Sequence, residues 1–525
     1  MYVDQSHGRV FLRVRNPQAI EKFLPGMVEQ VDWRNHNIAV EHNLSSTKIL
    51  RNIGMKVPSP IRYRYNWPGR YPPFAHQIDT SEFLTLTRRG FVLSEMGTAK
   101  TASVLWAADY LMNEGEVDKC IIVGPLSTLE RVWRDEVFNF IMHRKAVVLH
   151  GDAKKRRRLL ESDADFYIIN YEGLDILLPD LQKRDDINLM VVDEAAAYRN
   201  GQTTRYSILQ QTVRPKQRLW LLTGTPCPNA PTDAWALARL VDRAKVPTYF
   251  TTWKRETMQQ VSTYKWIPRV GSHERVFDVL QPAVRFRKKD CLDLPPVTFE
   301  SRTCGLTPEQ LTAYGKMRQF MVAQASGHRI DAVNAADQIG KLRQILCGVV
   351  KDTATGEYVV LPHQPRARVM MECIEQASAK VIVVIPFKGI TQALYDTVVT
   401  GIKKPNIGPY SCDIVNGDVS PTKRNEIWRR FKHEKEPHVV LCHPQVMAHG
   451  LTLTEADMMV FYAPIYSNEQ SQQVMERINR PGQKRNMTII RIGGMPLEWE
   501  IYKHVEAKRK WQDTILDLYK QVLQS

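Results

Sequence analysis

The stretch Phe91-Val92-Leu93-Ser94-Glu95-Met96-Gly97-Thr98-Ala99-Lys100-Thr101 decides how this chain is read. Its first three residues form an apolar run of strand character, and the segment 102–111 that follows the loop has helical character. Strand, loop and helix in that order form the frame of a phosphate-binding loop. Backbone N–H groups of Met96, Gly97, Thr98 and Ala99, with the start of the helix, can face a triphosphate. Lys100 can reach its outer phosphates, and the Thr101 hydroxyl can hold Mg²⁺. Ser94 and Ala99 stand where the full G-x-x-x-x-G-K-T pattern has its two glycines, so an ordinary Gly-containing turn is the competing reading. A metal-binding carboxylate elsewhere in the chain separates the two.

Asp193-Glu194 supplies that carboxylate, at the end of the apolar run Leu189-Met190-Val191-Val192. Such a run reads as a buried parallel strand, and the carboxyl end of such a strand is where open α/β sheets bind their ligands. Asp193 is then the expected Mg²⁺ ligand through water, and Glu194 the group that orients and polarises the attacking water at the γ-phosphate. Carboxylates after a strand also cap helices or solvate turns. Order, strand context and charge type together favour the nucleotide reading.

At 525 residues the chain exceeds the roughly 250–300 residues at which a single core stops growing, so two main domains are expected. A net charge of +16 suits a polyanionic partner without choosing between nucleic acid and a membrane surface. No apolar run approaches the 18 or so residues of a membrane span, and residues 1–5 lack the parts of a signal peptide. The expectation is a soluble chain with no membrane partner. Eight cysteines are scattered singly, with no C-x-x-C pair and no clustered His, which points to a reducing, cytoplasmic compartment and to neither disulfides nor zinc.

Apolar strand candidates fall into two series, 91–93, 120–123, 166–169, 189–192 and 219–222, then 381–385, 413–415, 438–441, 458–461 and 487–490. Helix-like segments lie between them, with a capping box expected at Ser127 and Glu130 and a cap followed by a first-turn proline at Ser420-Pro421. Strands alternating with helices imply parallel sheets. The fold class is therefore α/β, with two parallel-sheet lobes, a helical connector and a small N-terminal α+β domain. The expected boundaries are 1–65 for the N-terminal domain, 66–250 for the first lobe, 251–364 for a helical and basic connector, 365–495 for the second lobe and 496–525 for a C-terminal helix packing back on the two lobes.

Gln473-Val474-Met475-Glu476-Arg477-Ile478-Asn479-Arg480 places two arginines three apart on an expected helix, where they share a face. Guanidinium groups delivered across a lobe interface stabilise charge on a transferring phosphoryl group, worth on the order of 10³ to 10⁵ in rate for arginine fingers generally.

From residue 71 to 514 the chain resembles the Swi/Snf-related ATPases, a branch of the superfamily-two helicases with two RecA-like lobes that move on double-stranded DNA. Phe74-Ala75-His76-Gln77 is similar to the Q motif, which implies Gln77 as the adenine contact. Gly124-Pro125-Leu126-Ser127 resembles motif Ia, Asn170-Tyr171-Glu172 motif Ib, and Leu222-Thr223-Gly224-Thr225-Pro226 motif III. Arg287-Lys288-Lys289-Asp290 with Leu294-Pro295-Pro296, then Leu342-Arg343-Gln344-Ile345, resemble the linker markers. Residues 380–387 resemble motif IV, His449-Gly450-Leu451-Thr452-Leu453-Thr454 motif V, and 473–483 motif VI at Gln473, Arg477, Arg480, Gly482 and Gln483. The compactness of the chain is similar to that of bacterial or viral members.

The resemblance implies ATP and Mg²⁺ as cofactors and Lys100, Asp193, Glu194, Arg477 and Arg480 as catalytic residues, with Gln473 joining the nucleotide contacts. It implies DNA, duplex or forked, as the partner of a monomer, contacted by Pro125, Leu126, Ser127, Tyr171, Phe387, Lys388 and Gly450. Two departures stand out. Ala99 replaces the last loop glycine, tolerable at negative φ and strained at positive φ, and Ala196 replaces the His expected after Asp-Glu-Ala. Residues 1–65 read as β-α-β-α and resemble the HARP-type domain of annealing helicases, which would recognise forked DNA or a protein partner; a structural cap on the first lobe is the other reading. The expected function is an ATP-dependent double-stranded DNA translocase that remodels or reanneals DNA or displaces bound protein. The alternatives are a strand-separating DNA or RNA helicase and a nucleic-acid binding module with impaired ATPase.

Overall fold

Runs of Val, Ile and Leu that are buried on both sides have only one stable arrangement, side by side in a parallel sheet covered by helices. A computed structural model describes residues 1–262, 266–327, 332–352, 355–403, 406–447 and 451–508, with side chains described except at 131 and 320–336. Two compact units divide the chain, Met1–Cys291 and Leu292–Asp513.

In the first unit, all seven strands of the main sheet run parallel, in the order Ala283–Val284, Arg89–Val92, Arg218–Leu222, Ile187–Val192, Lys119–Gly124, Phe166–Asn170 and Ala146–Val148. The five central ones are those expected from the apolar runs. The helix Lys100–Asn113 is buried from Ala102 to Leu111 and packs on the helix Ala75–Leu86. Small residues allow this close approach, and the Ser81 hydroxyl donates across it to the Ser103 carbonyl at 2.9 Å. The capping box expected at Ser127 and Glu130 is not formed. A 3₁₀ turn, Leu126–Thr128, runs into a π-helical segment, Leu129–Arg134, and neither has a side-chain cap.

The N-terminal block has six elements rather than the four expected. Tyr2–Asp4, Arg9–Leu12, Pro17–Phe23, Val28–Trp33, His36–Glu41 and Leu44–Asn52 give the order β-β-α-β-β-α around a four-stranded antiparallel sheet. Val10, Leu12, Ile38 and Val40 turn inward against Ile20, Leu24 and Leu50. The block is fastened to the rest of its unit: Leu44 and Ile61 join the main core, Lys48 pairs with Glu116 at 2.7 Å, and Arg62 pairs with Asp79 and Glu82.

The second unit holds six parallel strands, in the order Val297–Thr303, Met487–Gly493, Ala456–Phe461, Lys380–Val384, Val439–Cys442 and Cys412–Val415. The edge strand Val297–Thr303 comes from the stretch expected as a helical connector and pairs over seven residues with Met487–Gly493. The helix Pro421–His433 starts as expected, with Ser420 Oγ accepting from the Lys423 N–H at 3.3 Å. At the C-terminus, 496–508 are helical and the rest of the expected helix lies outside the described residues. Within that helix Glu498 is fully buried and receives Arg366 Nη2 at 2.5 Å and the Gly494 N–H at 2.8 Å, while Arg366 Nη1 donates to the Tyr462 carbonyl at 2.7 Å. All eight cysteines are free thiols; seven are buried and Cys291 is half-buried. No helix among the described residues is long and apolar enough to cross a membrane.

Candidate nucleotide and nucleic-acid site

Because Arg89–Val92, Arg218–Leu222 and Ile187–Val192 are consecutive parallel strands, the loops after them emerge together at one edge of the sheet. That edge carries the Lys100 loop, Thr223-Gly224-Thr225 and Asp193-Glu194. The approach is close: a Cβ on Gly224 would lie 3.3 Å from the Met96 nitrogen. Lys100 Nζ donates to the Ser94 and Glu95 carbonyls at 2.8 and 3.0 Å, which holds the ammonium against the loop's own backbone. Thr101 follows it, half-buried, in the first helical turn.

Gly97 and Ala99 both take the left-handed conformation, with φ of 82° and 54°. For Gly97 this is free of steric cost. For Ala99 it is the strained alternative, since a Cβ there crowds the following carbonyl. His76 and Gln77 brace this part of the loop: His76 Nε2 lies 3.0 Å from the Thr98 carbonyl, and Gln77 Nε2 donates to the Ala99 carbonyl at 3.2 Å. Gln77 Oε1 accepts from the Phe74 N–H at 2.9 Å. Phe74 stacks on His76 and stays 45% exposed at the loop's flank. On the other side, Glu95 accepts from the Lys288 N–H at 2.9 Å, so the basic run after the edge strand is joined to the loop.

Asp193 sits at the strand end with each carboxylate oxygen held. Trp133 Nε1 donates to Oδ2 at 3.0 Å and the Glu194 N–H to Oδ1 at 3.0 Å. Burial pushes this carboxyl up, and the Trp133 bond and the Lys100 charge pull it back. A desolvated carboxylate with lone pairs remaining beside a lysine suits a divalent cation. Glu194 also has left-handed backbone, at φ 47°, and Ala196 behind it is fully buried. Trp133 escaped the sequence reading because nothing local links an indole to a carboxylate sixty residues away. The only trace in the sequence was a tryptophan within an otherwise amphipathic segment.

The nucleic-acid candidates of this unit also converge. Gly124 pairs in register with Asn170, so residues 125–127 and Tyr171 leave neighbouring strand ends. Leu126 is 55% exposed and Ser127 is exposed, whereas Pro125 is buried and holds the turn through its carbonyl, which accepts from Thr128 N–H and Oγ1 at 2.9 Å. The Tyr171 hydroxyl donates to the Asp193 carbonyl at 2.9 Å, and Arg205, also missed in the sequence, lies 5.1 Å over its ring. This loop is therefore bonded to the backbone of the acidic pair.

In the second unit, the helix Asn468–Met475 ends before the two arginines, which corrects the expected continuous helix. Each guanidinium nonetheless turns back to the carbonyl four residues earlier and to one of the neighbouring residues Leu451 and Thr452. Arg477, 3% exposed, donates to the Gln473 and Leu451 carbonyls at 2.9 and 3.2 Å. Arg480 donates to the Glu476 carbonyl and to Thr452 Oγ1, both at 3.2 Å, and is half-buried. Gln473 is itself buried. Gln483 ties the turn to the Ala456 and Ile478 carbonyls at 2.9 and 3.2 Å. Phe387 lies 5.1 Å under Arg343, and the exposed Lys388 pairs with Asp418 at 2.5 Å. Gly450 lies outside the described residues.

Residues 29–349, more than half of the chain, match the model of the SNF2-related domain, and residues 366–482 match that of the helicase conserved C-terminal domain. Among curated proteins, the chain is 24% identical over 413 residues to an uncharacterized ATP-dependent helicase of Mycoplasma genitalium, covering 77% of this chain and 38% of that protein. It is 24% identical to the chromodomain-helicase-DNA-binding protein 1-like of Danio rerio, over 84% of this chain and 44% of that one. With the ISWI chromatin-remodeling complex ATPase ISW2 of Saccharomyces cerevisiae the figures are 25%, 77% and 36%. The chain thus spans less than half the length of these relatives. Among solved structures, the SWI2/SNF2 ATPase core of Sulfolobus solfataricus in complex with dsDNA is 20% identical, with a TM-score of 0.40 and coverage of 86% of this chain and 94% of that one.

Proposed function

The chain belongs to the SNF2-related family, and from that premise we propose that it is an ATP-driven motor that moves on double-stranded DNA, remodelling or reannealing it or displacing bound protein. The observation that carries the reading is the convergence of Lys100, Gly224 and Asp193-Glu194 at one sheet edge. ATP lies with its phosphates on the loop 96–101, and Lys100 exchanges two backbone carbonyls for phosphate oxygens. Thr101 and Asp193 would hold Mg²⁺, which when bound would neutralise phosphate charge. Trp133 keeps the Asp193 carboxylate oriented while Glu194 takes the proton of the attacking water. Arg477 and Arg480 act on the transferring phosphoryl group, and Gln473 supports them.

DNA phosphates are held without sequence reading by the backbone N–H groups of Leu126, Ser127, Phe387 and Gly450, the Ser127 hydroxyl and the Lys388 ammonium, with Pro125 fixing the turn. Tyr171 links that track to hydrolysis, because its hydroxyl grips the backbone of Asp193. The left-handed Ala99 favours a second reading, ATP binding with slowed turnover.

A steady-state ATPase titration against single-stranded, duplex and forked DNA and RNA tests both, with Lys100→Ala and Arg480→Ala as controls. The expected result is turnover stimulated most by duplex or forked DNA and lost in both variants. Wild-type turnover no faster than Lys100→Ala, with ATP still bound, selects the second reading.

A further inference from the structure

Where the chain reaches a sheet edge as Tyr358-Val359-Val360, it leaves apolar side chains and open backbone together in water. In the second unit this strand forms a two-stranded antiparallel hairpin with Val349–Lys351, in the register Val349 to Val360, Val350 to Val359 and Lys351 to Tyr358. The Asp352 N–H donates to the Glu357 carbonyl at 2.8 Å and the Leu361 N–H to the Gly348 carbonyl at 2.9 Å. Hydrogen-bonded pairs alternate along an antiparallel ladder, so Val350 and Val359 bond to each other, and the N–H and C=O groups of Tyr358 and Val360 turn outward. Among the described residues, none of these four groups has a hydrogen-bond partner. Tyr358, Val359 and Val360 are 44%, 51% and 45% exposed.

The hairpin is firmly seated. A Cβ on Gly389 would lie 2.5 Å from the Tyr358 ring and 2.7 Å from Val349 Cγ2, so the 3₁₀ turn Lys388–Ile390 packs closely against the hairpin, and Val349 is fully buried. The edge is thus held in one place. Edge strands are ordinarily guarded by a charge, a proline or a bulge. This one has none of the three, and its register with Val349–Lys351 is unbroken.

We infer that this edge pairs with the same edge of a second copy of the chain, antiparallel and centred on Val359, to make a four-stranded sheet. In that register Tyr358 lies opposite Val360 of the second copy, and Val360 opposite Tyr358 of the second copy, so all four outward groups of each strand are satisfied at once. Tyrosine against valine is a favoured aromatic and β-branched pair. The two Val359 side chains meet at the two-fold axis as a non-hydrogen-bonded pair, the closer kind. Glu357 comes to lie opposite Leu361 of the second copy, so no like charges face each other across the ladder. The strand is its own complement in hydrogen bonding, side-chain type and charge. A reversible dimer thereby replaces the monomer that the family resemblance implies. The pairing needs neither ATP nor DNA and does not depend on the motor reading.

Disulfide trapping tests the pairing in the full chain. Facing residues of a non-hydrogen-bonded pair bring their β-carbons within reach of a disulfide. Under a copper–phenanthroline oxidant, Val359→Cys is expected to give a covalent dimer at least about tenfold faster than Val270→Cys. Val270 is the more exposed position and measures random collision. Sedimentation equilibrium supplies the second measurement, with an average wild-type mass expected to rise with protein concentration. Val359→Lys and Val359→Glu each place like charges together at the axis and are expected to stay monomeric, while an equimolar mixture of the two recovers the association. Val359 is half exposed on a hairpin, so neither replacement threatens the core. Trapping of Val359→Cys no faster than Val270→Cys, a wild-type mass that stays flat, or association that persists in Val359→Lys alone overturns the pairing and leaves the edge to a strand from a different protein.

Discussion

Ala99 adopts the conformation that its methyl group least tolerates. A left-handed L-residue costs about 1–2 kcal/mol, and glycine's extra backbone entropy offsets about 0.5–1 kcal/mol of the gain from removing the methyl. Ala99→Gly is therefore expected to stabilise the chain by about 0.5–1 kcal/mol in urea unfolding. A less stable glycine variant would mean that residue 99 does not need positive φ. Lys100, Asp193 and Glu194 were legible because a motif records which groups chemistry requires. Trp133, His76 and Arg205 were not, because their roles arise only where the sheet brings distant segments together.

At the scale of elements, strands buried on both faces announced themselves as unbroken apolar runs. Val297–Thr303 did not, since five of its seven residues are polar and it lies at a sheet edge; Ala146–Val148 and Ala283–Val284 are too short to carry a pattern. In the N-terminal block, Val28–Trp33 hides behind Glu29, Gln30 and Asp32. The C-terminal helical segment 496–508 is held by a buried charge. Glu498 accepts from Arg366 and from the Gly494 N–H, and both charged side chains are shut away from bulk solvent. Removing one partner strands the other, at a cost of about 3–5 kcal/mol. Glu498→Ala should lower the urea midpoint accordingly, whereas a joint Arg366→Met, Glu498→Leu replacement should recover most of the loss. Equal damage from the single and the double replacement would show that the pair's charge is not what holds the helix.

For the molecule as a whole, burial sets the response to acid. His42, His76, His438 and His443 are all pushed below the ordinary value of 6.5 by desolvation. In the unfolded chain they take up protons as pH falls through 6.5; in the folded chain they do so only at lower pH. Unfolding therefore binds protons in that window, and stability is full above 6.5 and declines below it until the folded-state groups also charge. Asp193 and Asp233, raised by burial above the ordinary 3.8, work in the opposite direction from 3.8 upward. Thermal unfolding is expected at a lower temperature at pH 5.5 than at pH 7.5, and a flat or inverted profile would refute the account.

The thiols hold a practical consequence. Desolvation lifts Cys291 only to about 11, while Cys347, Cys373 and Cys412 reach about 12 and are buried, as are the other four. Maleimide reacts with thiolate that it can reach, so a dye offered to the native chain goes to Cys291 first, and Cys291 is the last residue of the first unit. Cys291 therefore offers one attachment point at the end of the first unit, and a spectroscopic ruler can be anchored there without removing any other cysteine.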